Sequence, residues 1–268
     1  MLRFDASLTL LYREVPLVER FARARASGFE AVELQELGGE PPPRLAEAAR
    51  AAGVEVVLIN APLGDAPRGG PGLSGVPGRE TEFRAAMLEA AESARTLGCR
   101  LVHVGPCRVP LGVARAEALA VLHDNLRRAG DALGRQGALA LVEAINPYDV
   151  PGVLVDRLEV ALEAVERADH PHVRLLFDAY HVARTGEDPA RWVARCARWI
   201  AHVQVADAPG RGAPGTGAID FDVLYAALER QHYDGWVGAE YVPAEPAHAT
   251  LARVAAPLGL FDSQSVRE

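Results

Sequence analysis

Residues 175–181 have the sequence Leu175-Leu176-Phe177-Asp178-Ala179-Tyr180-His181, an apolar run that ends in a carboxylate and has an imidazole three residues later. A short apolar run bounded by polar residues is typical of a buried strand. Because an ionised carboxylate is costly to bury, a strand that ends in Asp178 indicates that its tip faces something that favours negative charge.

Seven further runs of this kind occur along the chain, and each of the eight is followed by a segment that can form a helix. This alternation is typical of a parallel sheet covered by helices. The predicted strands are Leu2 to Leu8, Phe29 to Gln35, Val54 to Asn60, Arg100 to Gly105, Ala138 to Glu143, Val173 to Asp178, Ala201 to Asp207 and Trp236 to Tyr241.

Proline and glycine mark several predicted helix ends. The first helix is predicted to begin near Val15-Pro16 and to end at Ser27-Gly28, because proline suits an initial helical position and glycine a C-terminal cap. The same glycine stop recurs at Ala52-Gly53 and Leu97-Gly98. Further helices are predicted over residues 115–135, 151–168 and 221–231.

Eight strand and helix units in 268 residues correspond to about 33 residues per unit, close to a typical (β/α)8 barrel of ~250 residues. We therefore predict an α/β fold over residues 1–268, a single-domain (β/α)8 TIM barrel with a parallel eight-stranded core and an extended tail from about residue 259. A doubly wound open sheet is the alternative, but no Gly-x-Gly-x-x-Gly follows the first strand, where a dinucleotide-binding fold would have it.

The composition excludes several classes of function. The formal net charge of −8 comes from 36 acidic and 28 basic residues, without a basic block, which argues against a nucleic-acid or anionic-membrane partner. Every basic residue is arginine, so a mechanism that needs a lysine Schiff base is excluded. No nucleotide cofactor is expected, and the acidic composition allows a small, possibly anionic metabolite as the substrate.

The cysteines and the amino terminus bear on location. Three cysteines without a C-x-x-C pair fit a reducing compartment better than a disulfide scaffold. The amino terminus has no signal-peptide pattern, and no long apolar segment suits a membrane span. We predict a cytoplasmic protein, and a homo-oligomer is left open.

Two loops are rich in proline and glycine. The loop Ala61 to Arg79 follows the third strand, on the face where barrel enzymes have their active sites, and is long enough to act as a lid. The loop Pro209 to Gly217 follows the seventh strand and carries Arg211. Disordered surface loops are the alternative for both.

Four consecutive strands end in side chains with a hard oxygen. These are Glu143, Asp178, Gln204 and Glu240, at the ends of strands five to eight. In a closed barrel such side chains can converge, and carboxylates that converge repel one another unless a cation lies between them. Carboxylate and amide oxygens without a thiolate suit Mg²⁺ or Mn²⁺, so a divalent metal is the predicted cofactor.

Other polar residues lie near predicted strand ends. His181 and His103 are candidate substrate contacts, although a histidine that packs in the core is the usual explanation for such a residue. Weaker candidates are Asn60, Arg79, Glu33 and Gln35.

The sequence resembles the xylose-isomerase-like group of divalent-metal barrels, which includes sugar isomerases, ketose 3-epimerases and hydroxypyruvate isomerases, and the last are the most similar. Gln204 discriminates best, since 3-epimerases usually have histidine at that ligand. The resemblance covers nearly the whole chain and is carried by residues 177–181 together with Phe4-Asp5-Ala6-Ser7-Leu8, Glu14-Val15-Pro16, Glu19-Arg20-Phe21, Gly72-Leu73-Ser74, Pro77-Gly78-Arg79-Glu80, Val142-Glu143-Ala144, His202-Val203-Gln204 and Gly238-Ala239-Glu240-Tyr241.

The resemblance implies an isomerase that acts on a small-molecule hydroxy-carbonyl substrate and interconverts hydroxypyruvate and tartronate semialdehyde. It implies that Glu143, Asp178, Gln204 and Glu240 hold the metal, and that Glu143 and Glu240 also transfer protons through an enediolate. It further implies that His181 and Arg211 contact substrate. A substrate carboxylate would favour a cation, which Arg211 or Arg79 could supply.

The sequence departs from the family pattern in two places, Val242, where relatives often have lysine, and the loop Ala61 to Gly72, which has additional glycine and proline. Both departures bear on which substrate is bound, more than on the type of reaction. Alternatives are an isomerase or 3-epimerase of a four-carbon 2-oxo acid or a ketose, and a non-enzymatic sugar-binding barrel. A metal-dependent endonuclease of the same fold would need a histidine-rich trinuclear zinc site and a basic groove, which the acidic balance disfavours.

Overall fold

The computed structural model describes residues 1–244 and 251–256. Eight strands form a closed barrel in the order β1 to β8, which confirms the predicted fold class and rejects the doubly wound alternative. The predicted tail from residue 259 lies outside the described residues. The strands are β1 (Arg3–Ser7), β2 (Ala31–Leu34), β3 (Glu55–Asn60), β4 (Leu101–His103), β5 (Leu139–Glu143), β6 (Val173–Asp178), β7 (Ile200–Val205) and β8 (Trp236–Ala239).

Helices follow the strands as the alternating pattern predicts. Helices that were predicted to stop at glycine do so, and Gly53 and Gly98 take left-handed φ values of 69° and 70°, which a glycine cap adopts without steric cost. The helices are α1 (Leu17–Ala26), α2 (Pro42–Ala52), α3 (Glu80–Leu97), α4 (Arg115–Gly134), α5 (Leu158–Ala168), α6 (Ala179–Arg184), α7 (Pro189–Cys196), α8 (Phe221–Arg230) and α9 (Leu251–Ala255).

The prediction of a helix from residue 151 was wrong, because α5 begins only at Leu158. The preceding segment instead forms backbone hydrogen bonds with the loop after β4. Val153 forms an antiparallel bridge with Arg108, and the Leu154 N–H donates to the Cys107 carbonyl at 2.8 Å. These bonds engage the backbone of the segment, which forms turns, bends and one isolated bridge in place of a helix.

The chain forms two compact units. The first comprises Met1–Val57, Asp178–Arg198 and the described residues from His202 onward, and the second comprises Leu58–Phe177 and Trp199–Ala201. In the first unit β1 pairs in parallel with β2 and β8, and β7 pairs with β8. That the whole chain is a single domain stays a prediction.

In the second unit β3, β4, β5 and β6 pair in parallel. Leu58, Leu141 and Leu176 form a buried cluster in its core. Burial of such side chains is the main stabilising contribution to a sheet of this kind. None of the helices in the described part of the chain is long and apolar enough to cross a membrane.

Candidate active site

Asp178 ends β6 and caps the helix that follows. Its Oδ1 accepts hydrogen bonds from the backbone N–H of Tyr180 at 2.7 Å and of His181 at 3.3 Å. The His181 Nε2 lies 3.5 Å from Asp178 Oδ2, and both side chains are buried. Local backbone donors therefore already stabilise the carboxylate at this strand tip. From the sequence, that stabilisation was attributed to a metal alone.

Glu240 follows β8 directly and contacts an arginine. The Arg211 Nη2 donates to Glu240 Oε2 at 2.7 Å and lies 3.9 Å from Asp178 Oδ2. The Arg211 guanidinium also lies over the Tyr180 ring, 5.2 Å from its centroid, a cation–π distance. Arg211, Asp178 and Glu240 are thus brought together as a group.

Burial raises the pKa of Glu240 to about 8. Arg211 opposes this rise in pKa, whereas the carboxylates of Asp178 and Glu33 add to it. A carboxyl group with such a pKa can both release and accept a proton near neutral pH, as a general acid or base must.

The loop that carries Arg211 is organised by Asp207, whose carboxylate is buried. Asp207 Oδ1 accepts from the N–H of Ala208 at 2.9 Å and of Ile219 at 3.0 Å. Asp207 Oδ2 accepts from Gly215 at 2.9 Å and Gly217 at 2.7 Å. Four charge-assisted bonds thereby hold both ends of the loop.

Arg211 itself has a left-handed backbone conformation, with φ of 55°. This region is unfavourable for a residue with a Cβ, so surrounding contacts must hold it there. One is the hydrogen bond from the Val242 N–H to the Arg211 carbonyl, at 2.8 Å.

Gln204 lies on β7 and contacts Glu33 at the end of β2. The Gln204 Nε2 donates to Glu33 Oε1 at 2.9 Å, and the His202 Nε2 lies 2.8 Å from Glu33 Oε2. From the sequence, Glu33 ranked as a weak candidate, and His202 was quoted in a family motif but was assigned no role. A signal was present, because residues two apart in a strand share a face, so His202 had to lie on the same face as Gln204.

In the second unit Glu143 ends β5, and His103 ends β4. The His103 Nε2 lies 3.6 Å from Glu143 Oε2, and both side chains are buried. Asn60 ends β3 opposite His103 in the strand register, and its Oδ1 is buried without a hydrogen-bond partner. Roles for these side chains stay predictions.

Arg79 braces the loop of residues 61–79. Its Nη1 lies 2.9 Å from Asp65 Oδ1 and donates to the Gly72 carbonyl at 2.9 Å, and its Nη2 donates to Glu82 at 2.7 Å. The Arg79 guanidinium holds the pKa of Asp65 below its usual range. Arg79 therefore has a structural role in this loop, and its contact with substrate stays a prediction.

A divalent cation fits the chemistry of the donors in the first unit. Asp178, Gln204 and Glu240 are buried and offer hard oxygens, and the donor set lacks a thiolate. The carboxylate of Asp178 raises the pKa of Glu240, which shows that negative charges crowd the site. A cation would relieve that repulsion.

Several curated relatives cover almost the whole chain. Hydroxypyruvate isomerase from Escherichia coli strain K12 is 34% identical over 251 residues, covering 94% of this chain and 97% of the relative. The 2-oxo-tetronate isomerase of Cupriavidus necator is 33% identical over 259 residues, covering 97% of this chain and all of the relative.

A solved structure is also similar. The crystal structure described as AP endonuclease, family 2, from Brucella melitensis has a TM-score of 0.90 and 32% identity, and covers 98% of this chain and 100% of that one. The family model described as the xylose isomerase-like TIM barrel matches residues 21–257. The closed barrel, the strand-end acids and these matches together show that the chain belongs to the xylose isomerase-like TIM barrel family.

Proposed function

We propose that this protein is an isomerase of small 2-oxo acids that interconverts hydroxypyruvate and tartronate semialdehyde (2-hydroxy-3-oxopropanoate). The observation that carries the proposal is the contact between Arg211 and Glu240, which joins a carboxyl group of raised pKa to a cation suited to a substrate carboxylate. The names of the relatives that cover nearly the whole chain support the same reaction class.

The proposed cofactor is Mg²⁺ or Mn²⁺, held by Glu143, Asp178, Gln204 and Glu240. The hard oxygens of the donors and the crowding of negative charge around Glu240 support this assignment. When bound, such a cation would stabilise the negative charge that develops on the substrate oxygens.

The reaction moves a carbonyl group between neighbouring carbons. In hydroxypyruvate the C3–H bond next to the carbonyl is weakly acidic, and its proton is transferred to one of two glutamates, Glu143 or Glu240, leaving an enediolate. The other glutamate delivers a proton to C2, while a proton passes from the C3 hydroxyl to the C2 oxygen. The product has an aldehyde at C3 and a hydroxyl group at C2, with no net gain or loss of atoms.

Arg211 is the proposed contact of the substrate carboxylate. Its guanidinium can form two parallel hydrogen bonds with a carboxylate, and it lies beside the proposed acid–base residue. His181, His103, Asn60 and Arg79 are further proposed substrate contacts, of which His181 is supported by its position against Asp178.

A second candidate is isomerisation of a four-carbon 2-oxo acid, favoured by the 2-oxo-tetronate isomerase that matches 97% of the chain. The same glutamates and cation would serve both reactions. The two substrates differ in the length of the carbon chain beyond the reacting carbons, so the space in the site at that end would discriminate between them. The endonuclease activity for which the similar Brucella melitensis protein is named is less compatible with this chain, whose net charge is −8.

The test is a substrate panel with the purified Mg²⁺-loaded protein. We expect kcat/KM for hydroxypyruvate to exceed that for the four-carbon 2-oxo acid and for a ketose by at least about tenfold, a difference of ~1.4 kcal/mol in transition-state binding. The reverse order would favour the second candidate. Cleavage of DNA with an abasic site, without turnover of any oxo acid, would contradict both. The cytoplasmic location and the homo-oligomer stay predictions.

A further inference from the structure

Glu33 is fully buried at the end of β2, and side-chain nitrogens approach both of its oxygens. Oε1 accepts hydrogen bonds from Gln35 Nε2 at 2.6 Å and from Gln204 Nε2 at 2.9 Å, and Oε2 lies 2.8 Å from His202 Nε2. A buried carboxylate is costly unless such donors surround it.

The contact with Glu33 decides which way the amide of Gln204 faces. The Gln204 NH₂ group donates to Glu33 Oε1, so this side of the amide faces Glu33. The amide oxygen, Oε1, is then at the opposite side. Because Mg²⁺ and Mn²⁺ take oxygen and not an amide nitrogen, this orientation decides whether Gln204 can bind a cation.

The neighbouring residues keep Glu33 in place. The Ser7 hydroxyl donates to Gln35 Oε1 at 2.7 Å, which turns the Gln35 NH₂ toward Glu33. On β8, Gly238 leaves the space that the Glu33 carboxylate uses, since a Cβ at that position would lie 2.7 Å from Glu33 Oε2. Gly238 is also the register partner of Gln204. The strands around Glu33 thus provide both the hydrogen-bond donors to its carboxylate and the space that the carboxylate occupies.

We propose that Glu33 is a positioning residue, which holds the Gln204 amide with its oxygen available to the divalent cation. The inference rests on the proposed function, in which Gln204 is a ligand. It predicts that most of the effect of Glu33 on cation affinity passes through Gln204, beyond the effect of the negative charge that Glu33 adds near Glu240.

The test is a double-mutant cycle read out by Mn²⁺ binding, followed by electron paramagnetic resonance of free Mn²⁺ in the absence of substrate. The variants are Glu33→Met, which keeps the volume but removes the acceptors, Gln204→Ala, and the two combined. Glu33→Gln serves as the conservative variant, because its amide oxygen can still accept from Gln204. Circular dichroism and thermal melting check that each variant is folded.

We expect Glu33→Met to raise the Mn²⁺ Kd about 10- to 100-fold, the usual effect of losing a residue that orients a ligand, and Glu33→Gln to raise it less. In the Gln204→Ala background, Glu33→Met should change the Kd by a much smaller factor than in the wild-type background, because no amide remains to be positioned and only the charge of Glu33 is lost. If Glu33→Met does not fold, Glu33→Ala in the two backgrounds makes the same test, because alanine also removes the acceptors of the Gln204 hydrogen bond.

Additive effects in the two backgrounds would overturn the inference while leaving the proposed function standing, since Glu33 would then act only through its charge. No Mn²⁺ binding by the wild-type protein would overturn both.

Asp5, Glu33 and His202 offer ligand atoms within 4.8 Å of one another. Two Mn²⁺ per wild-type chain, one of them lost in both Glu33→Met and Asp5→Asn, would assign these residues to a second cation and likewise overturn the positioning role.

Discussion

The guanidinium of Arg211 donates to the carboxylate of Glu240 at 2.7 Å, and the pKa of Glu240 is nevertheless raised to about 8. Burial therefore outweighs the attraction of a neighbouring cation. The two residues come from the loop after β7 and the end of β8. Their contact links the group proposed to move protons to the group proposed to bind substrate.

Glu240→Gln should abolish most of the turnover. The amide cannot take or release a proton at neutral pH, so we expect kcat for hydroxypyruvate to fall by about 10²- to 10⁴-fold, with a melting temperature no lower than that of the wild-type protein. Steady-state kinetics with saturating Mg²⁺ make the comparison. Turnover within a factor of a few of wild type would contradict the proton-transfer role, and undiminished metal-free ligand binding would favour a non-enzymatic barrel.

The stability of the metal-free protein should fall as pH rises. The folded-state pKa of Glu240 is about 8 and its ordinary value is 4.5, so between these values the folded chain binds more protons than the unfolded chain. The stabilising contribution is complete below the ordinary pKa and is lost as pH rises through the folded pKa. Burial also raises the pKa of Asp5, which acts in the same direction.

Glu240→Gln should reduce this dependence on pH. Between about pH 5 and pH 8, with EDTA present, we expect the melting temperature of the wild type to fall at least about 2 °C more than that of the variant, equivalent to roughly 0.5–1 kcal/mol for a chain of this size. Parallel pH profiles for the two proteins would show that Glu240 does not have a raised pKa in the folded state.

Arg211→Ala should weaken substrate binding. A hydrogen bond to a charged group contributes about 1.5–3 kcal/mol, so we expect KM for hydroxypyruvate to rise about 10- to 100-fold. Arg191→Ala is the control, because Arg191 is an exposed arginine that pairs with Asp188. An unchanged KM in Arg211→Ala would show that this residue does not bind the substrate carboxylate.

Asp207→Ala should impair substrate binding without removing any group that touches substrate. Loss of the four hydrogen bonds from backbone N–H groups frees the loop that holds Arg211, so we expect KM to rise at least about fivefold. Stability should fall by at least about 2 kcal/mol. Asp188→Ala is matched to it, since Asp188 caps α7 with one hydrogen bond at 2.9 Å and should affect stability alone. A lower melting temperature with an unchanged KM would separate the loop from substrate binding.

The barrel was predictable because its signals are local. Each signal can be recognised from a few neighbouring residues: the short apolar runs, the glycines that end helices, such as Gly53 and Gly98, and the oxygen-bearing side chains at four strand ends. Local signals failed for the helix predicted from residue 151. That segment is determined by contacts such as the hydrogen bond from Leu154 to Cys107, which joins two loops that are distant in sequence.

The contacts around the site were less predictable. Glu33 and Gln204 are 171 residues apart in sequence, and only the closed strand order and register bring them into contact. Asp207 was expected to be the last residue of its strand, and its role as the acceptor for a loop depends on how residues 208–219 return to it. Arg79 offered a cation in a long loop, but nothing local to it in sequence indicated that Asp65 would bind it.

The central claim, that two glutamates move a proton between neighbouring carbons of a small 2-oxo acid, is tested most directly by a ¹H NMR time course. Hydroxypyruvate and the Mg²⁺-loaded protein are incubated in deuterated water. We expect an aldehyde signal to appear, loss of the C3 proton signal of hydroxypyruvate, and deuterium at C2 of the product, since a carboxyl group that has taken the proton exchanges it with solvent. An unchanged spectrum from folded, Mg²⁺-loaded protein would contradict the claim.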